Sequence, residues 1–265
     1  MYRIMEESRK HFVLVHGACH GAWCWYKVKP VLERAGHQVT ALDLAASGIN
    51  SKNQLDVRTL SEYSEPLIKF LESLREREKV ILVGHSLGGM NIAFAAEKFP
   101  EKISTAVFLT AFMPDSSHQP SYVIEKYFEK TPMEEFMDSV FTFDEGGKVA
   151  SSVFFGPKCL SSKLYQLSPM EELALATMFV RVGPFMGKYL SNVANKFSEE
   201  KYGSVGRVYV VCKDDKIISE SIQLWMTRNY TVKEVIEIEG ADHMPMFSAP
   251  QALCRALIHI ARMHA

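Results

Sequence analysis

Lys79-Val80-Ile81-Leu82-Val83-Gly84-His85-Ser86-Leu87-Gly88-Gly89 decides the fold of this chain. The run KVILVG (79–84) is short, apolar and β-branched, the pattern of a strand buried on both faces. From Leu87 the chain turns helical, through about residue 99. Gly84-His85-Ser86-Leu87-Gly88 therefore falls on a strand-to-helix turn. A serine there occupies a strained bend, and the flanking glycines relieve its crowding. The helix N-terminus directs free N–H groups and a positive dipole end at developing negative charge. The five letters alone recur by chance; their position between a buried strand and a helix makes Ser86 a nucleophile.

The same alternation extends outward. HFVLVHG (11–17), QVTALDL (38–44) and STAVFLT (104–110) read as strands, with helices at 27–35, 58–75 and 87–99. After MPD (113–115) the rhythm breaks. Residues from about 116 to 186 are rich in Phe, Met, Ser and Glu, with helical fragments and no good strand. The alternation resumes with GRVYVVC (206–212), a helix near 218–229, VKEVIEIEG (232–240) and a helix near 249–263. This order predicts one α/β domain over 1–265: a mostly parallel sheet flanked by helices, with a helical cap inserted at about 116–186.

Composition narrows the function. A chain of 265 residues suits one domain with a large core, and a net charge of −1 gives no footprint for nucleic acid or an anionic membrane. The start, MYRIMEESRK, lacks the apolar core of a signal peptide, and no apolar run reaches the length of a membrane span. The five cysteines are odd in number and scattered, as expected of reduced thiols in a cytoplasmic protein. Cys19 and Cys24 have no second Cys/His pair at zinc-like spacing, so no metal is expected there.

A hydroxyl nucleophile needs a base. The hydrolase order Ser, acid, His places that base late in the chain. His243, in GADHM (240–244), follows a predicted strand and precedes the last helix, whereas His259 and His264 fall in or beyond that helix and His118 comes too early. Asp214, Asp215 and Asp242 are the candidate acids. Asp242 adjoins the base, and neighbouring side chains diverge, while spacing alone leaves Asp214 and Asp215 open. The oxyanion hole of such a site takes the N–H after the nucleophile, Leu87, and one from the first loop, Ala18. His16 reads as a residue that shapes this loop.

HFVLVHGACHGAWCWYKVKP, ALDLAASGIN, YSEPL, KVILVGHSLGG, AFMPD, LYQLSP and GADHMPM together resemble the plant methylesterase family, which is related to hydroxynitrile lyases. The similarity runs from about residue 11 to the C-terminus. It implies an α/β-hydrolase fold with a cap, no cofactor, often a homodimer, and a small-molecule methyl ester as substrate. On VCKDD (211–215) the family's acid falls at Asp215, and Ala18 and Leu87 fall at the oxyanion donors. Gly17, His85, Phe112 and Met244 are expected to border the substrate. The lyases carry Thr in place of Gly17 and Lys in place of Met244; with neither hydroxyl nor charge here, the resemblance implies ester hydrolysis rather than cyanide release. An intact triad also argues against a receptor that merely uses the fold. Phe112, Phe128, Phe136, Met137, Phe141, Phe143, Phe154, Phe155, Met178, Phe179, Phe185 and Met186 suit a largely apolar pocket, although any single one of them reads first as core.

Overall fold

A computed structural model of the chain describes residues 9–143, 150–184 and 196–265. The leader reading of the first eight residues and the pocket reading of Phe185 and Met186 lie outside the described residues.

The strands are β1 (His11–Val15), β2 (Gln38–Leu42), β3 (Val80–His85), β4 (Ile103–Leu109), β5 (Val140–Phe143), β6 (Ala150–Phe154), β7 (Gly183–Pro184), β8 (Arg207–Cys212) and β9 (Glu234–Ile238). Six of them form the central sheet in the order β2-β1-β3-β4-β8-β9, and every neighbouring pair is parallel. These are the six strands read from the sequence. All residues of β1, β3 and β8 are buried, which is why their sequences are continuous apolar runs. The edge strand β9 exposes Val235 and Glu237 and buries Ile238, because one of its faces meets solvent.

The chain leaves β1 in one direction to reach β2, then crosses back to β3. Right-handed crossovers therefore put the helices Val28–Arg34 and Glu65–Ser73 on opposite faces of the sheet. This reversal makes the crevice beyond the C-terminal ends of β1 and β3 a topological switch point, where open α/β sheets bind ligands. The loop carrying Gly17 and Ala18 and the turn carrying Ser86 both open onto it, since Val15 is in register with Gly84. Leu82 and Phe108 in the middle of the sheet have no exposed surface. Truncating either to alanine removes buried methylenes and leaves a cavity, at about 2–5 kcal/mol.

The inserted stretch differs from its sequence reading. It holds the helices Tyr122–Lys130 and Met170–Phe179, but also a three-stranded antiparallel sheet, β5-β6-β7. Its strands are four, five and two residues long, β5 is mostly exposed, and β7 contains Pro184. Strands this short show too little alternation for a period to emerge, and β6 finds β7 across a long intervening segment.

Candidate active site

Ser86 sits at φ 54°, in the left-handed region that non-glycine residues avoid. The bend holds because backbone closes around it. A Cβ on Gly88 would stand 2.7 Å from the His16 carbonyl oxygen, so the helix can approach the β1 loop only with glycine there. A Cβ on Gly17 would lie 2.8 Å from Ser86 Cβ, which places the β1 loop directly against the Ser86 side chain.

The Ser86 hydroxyl donates to His243 Nε2 at 3.0 Å, and His243 Nδ1–H donates to Asp215 Oδ2 at 2.7 Å. Ser86, Asp215 and His243 are 8 %, 5 % and 2 % exposed, so the relay is shielded from water while the serine keeps a small opening. Asp215 is held on both oxygens. Ile217 and Ile218 N–H donate to Oδ1 at 2.6 and 3.0 Å, and the Thr110 hydroxyl donates to Oδ2 at 2.5 Å. Thr110 itself sits at φ 35° just past β4. Nothing in its sequence neighbourhood marks it as a partner of the acid. Asp214 is exposed and accepts from Gly240 N–H at 2.9 Å. Asp242 turns away from the imidazole, taking the Met244 N–H on Oδ1 and the Leu167 N–H and Ser168 hydroxyl on Oδ2.

The Leu87 N–H opens the helix Gly88–Lys98, and neither it nor the Ala18 N–H has an acceptor among the described residues. Two imidazoles orient the loop that carries Ala18. His16 Nδ1–H donates to the Gly17 carbonyl at 2.8 Å and His20 Nδ1–H to the Ala18 carbonyl at 2.8 Å. Their other nitrogens accept, His16 Nε2 from Leu44 N–H at 3.1 Å and His20 Nε2 from the Tyr165 hydroxyl at 2.7 Å. Both rings are therefore neutral with fixed tautomers. Burial pushes both below the ordinary histidine range, His20 to about 3. His16 thus shapes the loop. His20, missed in the sequence, stacks on Trp23 at 5.3 Å and on Tyr165 at 6.0 Å between ring centroids. The Cys-His-Gly-Ala-Trp spelling at 19–23 was its only signal.

The residues expected to border the substrate fall into two groups. Gly17 lies against Ser86, and Phe112 is buried with its N–H on the Ser86 carbonyl at 3.1 Å. His85 lies behind His243, where its Nε2–H donates to the His243 carbonyl at 2.7 Å. Burial, with the neighbouring His243, keeps it neutral well below the usual range. Met244 is fully buried beside His243. Of the cap aromatics, Phe112, Tyr127 and Phe136 form a buried series of edge-on contacts. Phe143, Phe179, Met137 and Met178 are exposed.

A serine, an imidazole and a buried carboxylate, hydrogen-bonded in series at the C-terminal edge of a parallel sheet, define the serine hydrolase class. The chain matches the Alpha/beta hydrolase family over residues 12–256. It is 55 % identical over 261 residues to salicylic acid-binding protein 2 of Nicotiana tabacum, covering 98 % of this chain and 100 % of that protein. It is 55 % identical over 258 residues to methylesterase 1 of Arabidopsis thaliana, covering 97 % and 98 %. The crystal structure of polyneuridine aldehyde esterase superposes with a TM-score of 0.90 at 44 % identity, over 96 % of this chain and 100 % of that one. The chain belongs to the plant methylesterase family of α/β-hydrolases.

Proposed function

We propose that this esterase hydrolyses methyl esters of small hydrophobic plant acids, with Ser86, His243 and Asp215 as its triad and the Leu87 and Ala18 N–H groups as its oxyanion hole. The observation that carries the proposal is the hydrogen-bonded series from Ser86 Oγ through the His243 ring to Asp215. Two similar proteins, one named a methylesterase and one for binding salicylic acid, support the choice of substrate class.

In the reaction, His243 Nε2 takes the Ser86 proton as Oγ attacks the ester carbonyl. The carbonyl oxygen gains negative charge and meets the two free N–H groups. The imidazolium that forms is stabilised across the 2.7 Å contact by Asp215. Collapse of the tetrahedral intermediate breaks the bond to methoxide, which leaves as methanol with the proton from His243. Water, deprotonated by the same nitrogen, then attacks the acyl-enzyme and releases the acid.

The cap reading of residues from about 116 to 186 is supported, in its described part, by Tyr165 meeting His20 of the β1 loop and Leu167 meeting Asp242 beside His243. Phe112 gives the acyl group a flat apolar wall, and Met244 keeps the surroundings of the base uncharged. The five unpaired thiols, all buried, suit a cytoplasmic enzyme, and the family resemblance supports a homodimer. A panel of methyl esters of salicylate, jasmonate, indole-3-acetate and an alkaloid acid, with mandelonitrile alongside, tests the proposal through kcat/KM. We expect hydrolysis of at least one ester and no cyanide release. Cyanide release that depends on Ser86, without ester turnover, would overturn it.

A further inference from the structure

The triad residues follow the C-terminal ends of their strands, whereas Glu234 opens β9 at the other end of the sheet. There its carboxylate meets two histidines from the end of the chain. His259 Nε2 lies 3.0 and 3.1 Å from its two oxygens, and His264 Nε2 lies 2.6 Å from Oε2. One donor atom from each residue falls within 4.8 Å of the other two. We infer that Glu234, His259 and His264 form a surface site for a first-row divalent transition metal, zinc foremost, separate from the catalytic centre.

The donor set and its spacing carry the inference. Two imidazoles and one carboxylate are the borderline donors that zinc, nickel and copper accept. Tetrahedral zinc takes nitrogen and oxygen at roughly 2.0–2.2 Å, which sets its donors about 3.4 Å apart. The separations here, from 2.6 Å to at most 4.8 Å, bracket that value. Binding then requires the donor separations to change by about 1 Å. In the metal-bound form each ring carries its proton on Nδ1 and offers the Nε2 lone pair, and the carboxylate exchanges its hydrogen bonds to the two rings for a metal–oxygen bond. His259 is 46 % exposed, so a fourth position opens to water.

The backbone under the three donors is already fixed. Glu234 is in register with Val208 of β8. His259 rides on the helix Pro250–Met263, which buries Leu253, Leu257 and Ile260. The His264 N–H donates to the Ile260 carbonyl at 2.9 Å, and its carbonyl accepts from the Thr105 hydroxyl at 2.5 Å. The adjoining groove, of about 540 Å³, is lined by Glu234, Glu237, Glu239 and Arg255. Lys213 pairs with Glu237 and Glu239 at 3.5 and 2.9 Å, so the groove is close to charge balance and the three donors themselves select the metal.

The test uses the full chain, stripped of metal, with zinc chloride and cobalt chloride as probes. Calorimetry should show zinc binding at one equivalent. Saturating zinc should raise Tm by about 5 °C, because the metal binds only the folded chain. Cobalt should give visible bands of a low-coordinate nitrogen and oxygen set, without thiolate charge transfer. His259→Gln and His264→Gln, each checked for an unchanged circular dichroism spectrum, should both abolish binding and leave ester hydrolysis intact. Absence of zinc binding to the wild type, binding undiminished in both variants, or a cobalt spectrum with sulfur ligation would each overturn the inference. In the first case the trio is a hydrogen-bonded clamp between β9 and the last helix.

Discussion

Asp215→Asn is the substitution whose outcome the geometry dictates most closely. The carboxylate faces two kinds of neighbour: Oδ1 receives two backbone N–H groups, from Ile217 and Ile218, and Oδ2 receives the His243 ring and the Thr110 hydroxyl. An asparagine has one oxygen and one NH2, and the two backbone donors cannot turn away. The amide oxygen must therefore face Ile217 and Ile218, which leaves the NH2 pointing at His243 Nδ1. Thr110 accommodates this by rotating its hydroxyl to accept. His243 accommodates it only by losing the proton from Nδ1 and carrying it on Nε2, where it faces Ser86 and no longer serves as a base. The fold survives while the reactive tautomer is lost. That predicts a fall in kcat of about 10⁴-fold, close to 5.5 kcal/mol of barrier, as when a triad aspartate elsewhere is made an amide. Asp214→Asn is the control: its carboxylate is exposed and holds only the Gly240 N–H, so the loss should stay within a few-fold. Steady-state hydrolysis of one methyl ester by both purified variants, with circular dichroism to confirm folding, decides it. Asp215→Asn retaining more than a tenth of wild-type kcat, or Asp214→Asn losing more than Asp215→Asn, would refute the reasoning.

Ser86→Ala should lower kcat by several orders of magnitude with substrate binding retained, and a serine-directed phosphonate should label the wild type once, at Ser86, by mass spectrometry. Tyr165→Phe deprives His20 Nε2 of its donor and loosens the ring that orients Ala18. Loss of a whole oxyanion donor costs about 10²–10³-fold in kcat, so a loosened one should cost about tenfold, with KM nearly unchanged; a change confined to KM would speak against that route. Stability should fall in acid. His20 is held near 3 when folded and returns to about 6.5 unfolded, so below pH 6.5 the unfolded chain gains a proton that the folded one refuses. The stabilisation is whole above that pH and decreases as pH drops, by about 2 kcal/mol at pH 5 from this ring alone. Urea unfolding at pH 7 and pH 5 should show the loss, and His20→Asn should lessen it; an equal loss in both proteins would place the acid sensitivity elsewhere.

The parallel sheet was legible because its strands alternate with helices along the chain, and because β1, β3 and β8, buried on both faces, are continuous apolar runs. Ser86 stood out for a related reason: the bend that exposes it demands small residues on both sides, and glycines are easy to see. The antiparallel sheet of the insertion left no such trace, since its strands are too short to set a period. Thr110 and the His20–Tyr165 pair were hidden for a different cause. Thr110 meets Asp215 only after β4 and β8 have paired, and Tyr165 reaches His20 only once the insertion has folded back over the β1 loop. Such contacts are properties of the assembled fold.

The loop carrying His243 is tied to the segment around Leu167 as well as to the sheet. It is tied at three points, one through its backbone and two through side chains. His85, beside the nucleophile, donates to the His243 carbonyl, so the ring and the serine share one support. Asp215 holds the ring from β8. Asp242 reaches into the insertion, to Leu167 N–H and the Ser168 hydroxyl, while its other oxygen closes a local turn on Met244 N–H. The Leu-Ser-Pro at 167–169 and the Asp-His at 242–243 are thus two halves of one joint. A displacement of the segment near Leu167 pulls on the residue directly before the base, and a shift of about 1 Å is enough to cost 10²-fold in a reaction of this kind. The fully buried Asp242 therefore works as a brace between the insertion and the base, and its carboxylate takes no part in the relay to Ser86.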